Sequence, residues 1–173
     1  MEPALRIQSQ SPTFHDVPRD AARPVPPKQF GPTRCAGIER VARLDGNVGY
    51  IDIRAFQHPA RFVAVMDAVI EGLADADALV IDLRRHWGGS RAGAALLASY
   101  LFDTEPAHVD AAYWAPRSRA RPMRIVPRAT VARFTERPVS ILVGPGTSAV
   151  AADLARSLER LGRARVVVQD GAE

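Results

Sequence analysis

Apolar and polar positions alternate early in the chain and then change to a helical spacing. An extended segment over residues 36–44, the turn sequence Asp45-Gly46-Asn47 and a β-rich segment with partial alternation over 48–53 predict a β-hairpin. After Pro59, which suits a first helical turn, apolar residues recur three and four positions apart and predict an amphipathic helix. These residues are Phe62, Val63, Met66, Val69, Ile70 and Leu73.

Strand and helix patterns then follow each other along the rest of the chain. Residues 78–83 form a short, nearly continuous apolar run, as expected of a strand buried on both faces of a parallel sheet. The other predicted elements are helices over 92–102 and 151–161 and strands over 108–114, 123–126, 138–143 and 165–168. Strand, helix and strand in this order predict an α/β fold with a mostly parallel sheet and right-handed crossovers.

The N-terminal segment differs in composition from the rest. Seven of the 14 prolines lie within the first 32 residues. Prolines remove backbone donors and bias their neighbours toward extended conformations. We therefore expect an irregular arm over residues 1–34 and one α/β domain over residues 35–173, a length that supports a single core.

Composition narrows the chemistry that is available. Cys35 is the only cysteine, which excludes an internal disulfide, and four scattered histidines lack the spacing of a zinc site. We expect neither a metal nor another cofactor. No apolar run approaches the roughly 20 residues that span a bilayer, and the first residues lack the apolar stretch of a secretory signal. A cytoplasmic protein without a membrane span is the expectation.

The positive charge comes almost entirely from arginine. Lys28 is the only lysine among 23 basic residues, which face 19 acidic ones and leave a net charge of +4. This excess is smaller than that of a typical nucleic-acid binder, and the arginine-rich stretch 117–137 fits an exposed loop. We expect no nucleic-acid partner. Near-exclusive use of arginine indicates GC-rich coding and suggests a bacterial source.

Two loops combine a preceding strand, glycine residues and a following helix. Residues 84–90 read Arg-Arg-His-Trp-Gly-Gly-Ser, and residues 144–149 read Gly-Pro-Gly-Thr-Ser-Ala. Ligands of parallel sheets bind at the carboxyl ends of strands, and helix N-termini there stabilise a carboxylate, phosphate or oxyanion. The same pattern also suits two tight turns that bind nothing.

Residues 49–56 and 82–89 resemble the tail-specific, or C-terminal-processing, serine protease family. The retinoid-binding modules of interphotoreceptor retinoid-binding protein belong to the same superfamily. The second family motif reads Asp-Leu-Arg-Asn-Asn, then Pro or Gly, then Gly-Gly, and the match extends over residues 36–170. The resemblance implies a crotonase-like (ClpP/crotonase) core and an oxyanion site formed by Gly88, Gly89 and the N–H group of Ala149. Residues 85–87 depart from the motif.

The same resemblance places the family's serine nucleophile at Ala149, which has no nucleophilic group. Ser148 lies one residue earlier and could replace it in a shifted turn, or could serve as a helix N-cap. The family's lysine base lies in a loop beyond the strand matched by 165–168, where this chain ends. His86 could replace that base, with Asp103 or Glu105 orienting its ring, or could be a packing residue.

These observations predict a serine-type peptidase-like domain with impaired catalysis, in which a nucleophile and a base are both missing. The alternative is a non-catalytic module of the same fold that binds a peptide, a protein C-terminus or a small apolar ligand. A third interpretation is a truncated fragment whose last strand lacks its neighbours.

Overall fold

The computed structural model describes residues 36–102 and 132–169, together with the backbone of residues 23–24. The strands are β1 (Arg23–Pro24), β2 (Ile38–Leu44), β3 (Val48–Ile53), β4 (Ala55–Phe56), β5 (Ala78–Asp82), β6 (Gly88–Gly89), β7 (Val139–Val143) and β8 (Arg165–Val168). The helices are α1 (Pro59–Gly72), α2 (Arg91–Ser99) and α3 (Ala149–Arg160).

Six strands form one sheet in the order β1-β2-β3-β5-β7-β8. The β2 and β3 strands form the predicted hairpin, and its turn places Gly46 and Asn47 at positive φ. From β3 onward every pairing is parallel, which confirms the α/β fold and its mostly parallel sheet. The β1 strand extends the antiparallel edge, within the residues predicted to be irregular.

Alternation along the parallel strands gives the sheet two apolar faces. Ile51, Ile81 and Ile141 are fully buried and belong to the main core, together with the apolar stripes of the three helices. A smaller buried cluster on the other face contains Ala42, Tyr50, Val80 and Leu142. Parallel strands buried on both faces explain why residues 78–83 read as a continuous apolar run.

A second, two-stranded sheet lies beside the main one and was not predicted. The β4 and β6 strands pair in parallel, with Ala55 opposite Gly88 and Phe56 opposite Gly89. Two-residue strands carry no alternation, so no apolar pattern could reveal them. This small sheet holds the glycine pair of the first loop against the end of the β3–β4 segment.

Two predicted helix boundaries were wrong. The α2 helix ends at Ser99 rather than residue 102, because the N–H of Tyr100 bonds to the carbonyl of Leu97 in a tighter turn. The α3 helix begins at Ala149 rather than residue 151, directly after Ser148. The predicted strands at 108–114 and 123–126 lie outside the described residues, as does the rest of the N-terminal arm.

Within the described segments, no helix is long and apolar enough to cross a membrane. The same segments contain no group of three His, Cys, Asp or Glu side chains arranged to hold a metal ion.

Candidate active site

The two loops singled out by their glycines meet at the carboxyl edge of the sheet. Residues 84–90 follow β5, and residues 144–148 follow its neighbour β7. The hydroxyl of Thr147 donates to the carbonyl of Leu83 at 2.8 Å and accepts from the N–H of Gly144 at 2.9 Å. The N–H of Ser148 donates to the carbonyl of His86 at 2.8 Å. These bonds fix the start of α3 against the first loop.

The side chains of Ser148 and His86 are in direct contact. The Oγ atom of Ser148 lies 2.8 Å from Nδ1 of His86. Ser148 occupies the N-cap position of α3, yet its side chain makes no hydrogen bond to the helix. The N-cap interpretation therefore holds for the backbone position and not for the hydroxyl, which is directed to the imidazole instead.

His86 is fully buried, with its ring packed against Phe56 at a centroid distance of 4.2 Å. Within the described part of the chain, its Nε2 atom has no hydrogen-bond partner. Burial lowers the pKa of His86 to about 4, because an imidazolium would be formed away from water. The ring is therefore neutral at pH 7, and one of its two nitrogens carries the proton.

The tautomer decides what this contact can do. A proton on Nε2 leaves Nδ1 free to accept from the Ser148 hydroxyl, which is the arrangement that a general base needs. A proton on Nδ1 makes the ring a donor to Oγ, which only positions the serine. In the first case, transfer of the serine proton to Nδ1 would form an imidazolium, which is destabilised by the same burial that lowers the pKa of His86.

Two different constraints on the backbone favour glycine in these loops. Gly88 and Gly89 adopt φ values of 142° and 128°, which side-chain-bearing residues rarely adopt. A Cβ atom at Gly146 would lie 2.8 Å from the carbonyl oxygen of Arg84, so residue 146 must be glycine for the loops to approach each other.

Ala149 is the first residue of α3 and is exposed at the same edge. The N–H groups of a first helical turn have no partner within the helix, which makes this a suitable place for a negatively charged group. The side chain at this first position of α3 is a methyl group, which has no nucleophilic atom.

A buried network of charges beneath the loops was missed by the sequence analysis. Asp82 accepts from Tyr50 at 2.7 Å and from two nitrogens of the Arg84 side chain at 2.6 and 3.0 Å. Burial alone would raise the pKa of Asp82, but the hydrogen bonds from Arg84 and Tyr50 outweigh it and lower that pKa. Arg84 also donates to Gln169 at 2.9 Å, which links the loop to the end of β8.

Asp52 repeats this arrangement on the neighbouring strand, directly opposite Asp82. Its carboxylate accepts from Arg54 at 2.8 and 3.1 Å and from Arg85 at 3.3 Å. Burial raises the pKa of Asp52 despite these arginines. The available sequence signal was the repeated Asp-x-Arg at 52–54 and 82–84, but its meaning depends on the strand register.

Several sequence-predicted candidates have no described position. Asp103 and Glu105, suggested as partners that orient His86, lie outside the described residues, as do Cys35 and Lys28. The residues that follow Gln169, where the resemblance would begin its base-bearing loop, also lie outside them.

Comparisons with known proteins agree with this architecture. The sequence model of peptidase family S41 matches residues 47–172, which is most of the chain. The chain therefore belongs to peptidase family S41.

Solved structures show the same fold at low sequence identity. The photosystem II D1 C-terminal processing protease matches with a TM-score of 0.52 and 20% identity over 76% of this chain and 34% of its own. Mature CPAF matches with a TM-score of 0.52 and 16% identity over 73% of this chain and 40% of its own. A lipoprotein from Streptococcus agalactiae matches with a TM-score of 0.50 and 15% identity over 73% of this chain and 47% of its own. The chain spans less than half the length of each of these structures.

Proposed function

We propose that this domain is an S41 peptidase-type domain with impaired hydrolysis, which binds a peptide at the edge formed by residues 84–90 and 144–149. The observation that carries the proposal is Ala149 at the first position of α3, where the family pattern places the nucleophile. Without an oxygen nucleophile at that position, an acyl-enzyme can form only through a different residue.

Ser148 is the neighbouring hydroxyl, and its partner is a poor base. General-base catalysis is most efficient when the pKa of the base lies near the working pH. The pKa of His86 is about 4, well below that range, and the described residues place no carboxylate against Nε2 to stabilise the imidazolium. Proton transfer from serine would therefore create an uncompensated buried charge, which is costly.

Peptide binding requires neither a nucleophile at position 149 nor an effective general base. The exposed start of α3 provides backbone N–H groups for a carbonyl or carboxylate oxygen. The paired β4 and β6 strands present the Gly88–Gly89 backbone at the same edge. A binding role without turnover also covers the apolar-ligand alternative, but the N–H groups at the start of α3 and the half-exposed Arg85 favour a peptide.

A second candidate function is hydrolysis through Ser148 as a shifted nucleophile. The observation that favours it is the 2.8 Å contact between Oγ and Nδ1, together with the missing cap bond of Ser148. A serine and an imidazole within hydrogen-bond reach are the core of many serine hydrolases, whatever their order in the sequence.

The test is intact-mass spectrometry after exposure of the folded protein to a fluorophosphonate probe, with peptide mapping of any adduct. We expect no adduct under conditions that label an active serine peptidase completely. Ser148→Ala is the matched control, because it removes only the hydroxyl. A stoichiometric adduct at Ser148 that disappears in this variant would replace impaired hydrolysis with the shifted-nucleophile function.

A further inference from the structure

The loop between β5 and β6 alternates between a buried and an exposed side. His86 is fully buried, whereas the Arg85 side chain is 52% exposed and Trp87 is 72% exposed. The backbone under these residues is fixed, since the N–H of His86 donates to Leu83 at 3.1 Å and that of Trp87 donates to Arg54 at 2.9 Å. Arg85 and Trp87 are therefore presented to solvent from a hydrogen-bonded base.

The charge network leaves Arg85 with the weakest attachment. In the part of this network that the structure describes, two carboxylates, Asp52 and Asp82, face three guanidinium groups, which leaves one positive charge in excess. Arg54 and Arg84 each hold a carboxylate through two short bonds. Among the described residues, Arg85 makes a single bond, of 3.3 Å, to an oxygen of Asp52 that Arg54 already contacts. Because the Arg85 side chain is half exposed and this contact is long, its guanidinium keeps donors with which it can bind a second carboxylate.

Trp87, two residues after Arg85, adds an exposed apolar surface to the same loop. It is one of two exposed large hydrophobic residues in the described part of the chain. Tryptophan and arginine are enriched among the residues that dominate binding energy at interfaces, because each combines a large contact area with a polar or charged group. Here the two lie two residues apart, next to the Gly88–Gly89 backbone.

We propose that Arg85 and Trp87 determine the specificity of this edge, by selecting a peptide that carries a carboxylate next to an aromatic side chain. The inference rests on the proposed function and deepens it, since it names the class of peptide bound. Arg85 forms the ion pair with the peptide carboxylate, and the Trp87 indole packs against the aromatic ring.

Calorimetric titration of the full chain with synthetic peptides tests the proposal. The reference probe is acetyl-Gly-Gly-Phe-Glu-Gly-Gly-amide, with Phe-Gln and Ala-Glu versions as matched controls. We expect the Phe-Gln peptide to bind about three- to tenfold more weakly and to lose the salt dependence shown by the acidic one. Acetyl-Gly-Gly-Phe, as free acid and as amide, distinguishes a terminal carboxylate from a side-chain carboxylate as the preferred source.

Three variants test whether Arg85 and Trp87 are the residues that discriminate between these peptides. Arg85→Gln should abolish the discrimination between Glu and Gln peptides, and Trp87→Ala should weaken the reference peptide by at least about fivefold. Arg160→Gln makes the same change of charge at the other end of α3, about 18 Å from Ser148 along the helix, and should bind like the wild type.

The proposal is overturned if the reference peptide shows no saturable binding up to millimolar concentration. It is equally overturned if Arg85→Gln and Trp87→Ala bind all the peptides as the wild type does. These outcomes are separate from the fluorophosphonate result, because labelling of Ser148 reports on turnover and the titrations report on recognition. An active Ser148 together with intact Arg85 and Trp87 effects would overturn impaired hydrolysis alone.

Discussion

A Cβ atom added at Gly89 would lie 2.2 Å from the carbonyl oxygen of Phe56, the residue opposite it in the small sheet. Substitution by alanine must therefore separate β4 from β6 as well as strain a backbone whose φ is 128°. We expect Gly89→Ala to lower the free energy of unfolding by about 2–4 kcal/mol, measured by urea denaturation.

Gly88→Ala separates these two causes. Residue 88 has a similar φ of 142°, but a Cβ atom there would meet no described residue within 4 Å. The Gly88→Ala variant should lose free energy of unfolding only through backbone strain, and this loss should be clearly smaller than that of Gly89→Ala. Equal losses for the two variants would show that the contact with Phe56 does not matter.

Arg137 holds the chain that leads into β7 by donating to backbone carbonyls. Its guanidinium contacts the carbonyls of Ala74 and Ala76 at 2.5 and 2.7 Å and that of Arg133 at 2.7 Å, and it stacks on Phe134 at 4.2 Å. Lysine keeps the charge but lacks the planar fork. We expect Arg137→Lys to destabilise the domain by about 1–3 kcal/mol in thermal or urea unfolding.

Arg156→Lys is the matched control for this substitution. Arg156 is exposed, and its one bond to a described residue is with Asp153, one helical turn away on α3. Its replacement should change the stability by less than about 0.5 kcal/mol. If both lysine variants unfold alike, the carbonyl contacts of Arg137 contribute nothing measurable.

The sequence predicted the parts of the fold that depend on local pattern. The hairpin, α1, β5 and β8 follow from alternation, helical spacing and apolar runs, and the placing of residues 86 and 148 at one edge follows from parallel strands. The Asp52–Asp82 network could not be derived, since a pair of carboxylates 30 positions apart becomes a unit only through the β3–β5 register. Packing of His86 was one of the alternatives that the sequence left open, but its contact with Phe56 depends on how the β5–β6 loop folds back on β4.

Asp82 and Asp52 should respond to acid in opposite directions. The pKa of Asp82 is lowered in the folded protein, so its ionised form stabilises the fold above the unfolded pKa, and this contribution is lost as the pH falls through the folded pKa. The pKa of Asp52 is raised, so its protonation favours the folded state as the pH falls.

Urea denaturation between about pH 6 and pH 3 checks the directions of these two effects on stability. Asp82→Asn should reduce the loss of stability on acidification, whereas Asp52→Asn should increase it. At pH 7 we expect Asp82→Asn to cost about 2–4 kcal/mol, because Arg84 loses a buried carboxylate. Parallel pH profiles for the two variants would contradict the opposite pKa shifts.

His86 links stability to the proposed loss of hydrolysis. Its pKa of about 4 lies below the value of an unfolded histidine, so the unfolded chain binds a proton that the folded chain does not bind between about pH 4 and 6.5. The stability contributed by neutral His86 is complete above pH 6.5 and is lost as the pH falls through this window, by about 3 kcal/mol in total.

His86→Gln should remove that acid sensitivity, so that its stability relative to the wild type improves between pH 7 and pH 4.5, whatever it loses at pH 7 by exchanging the ring packed on Phe56. Direct titration of the His86 imidazole by NMR measures its pKa independently of stability. Ser148→Asp replaces the hydroxyl that contacts Nδ1 with a carboxylate. The negative charge beside the ring should raise the pKa of His86 by at least about one unit. A wild-type His86 that titrates near pH 7 would restore an effective base beside Ser148, and the argument for impaired hydrolysis would then rest on Ala149 alone.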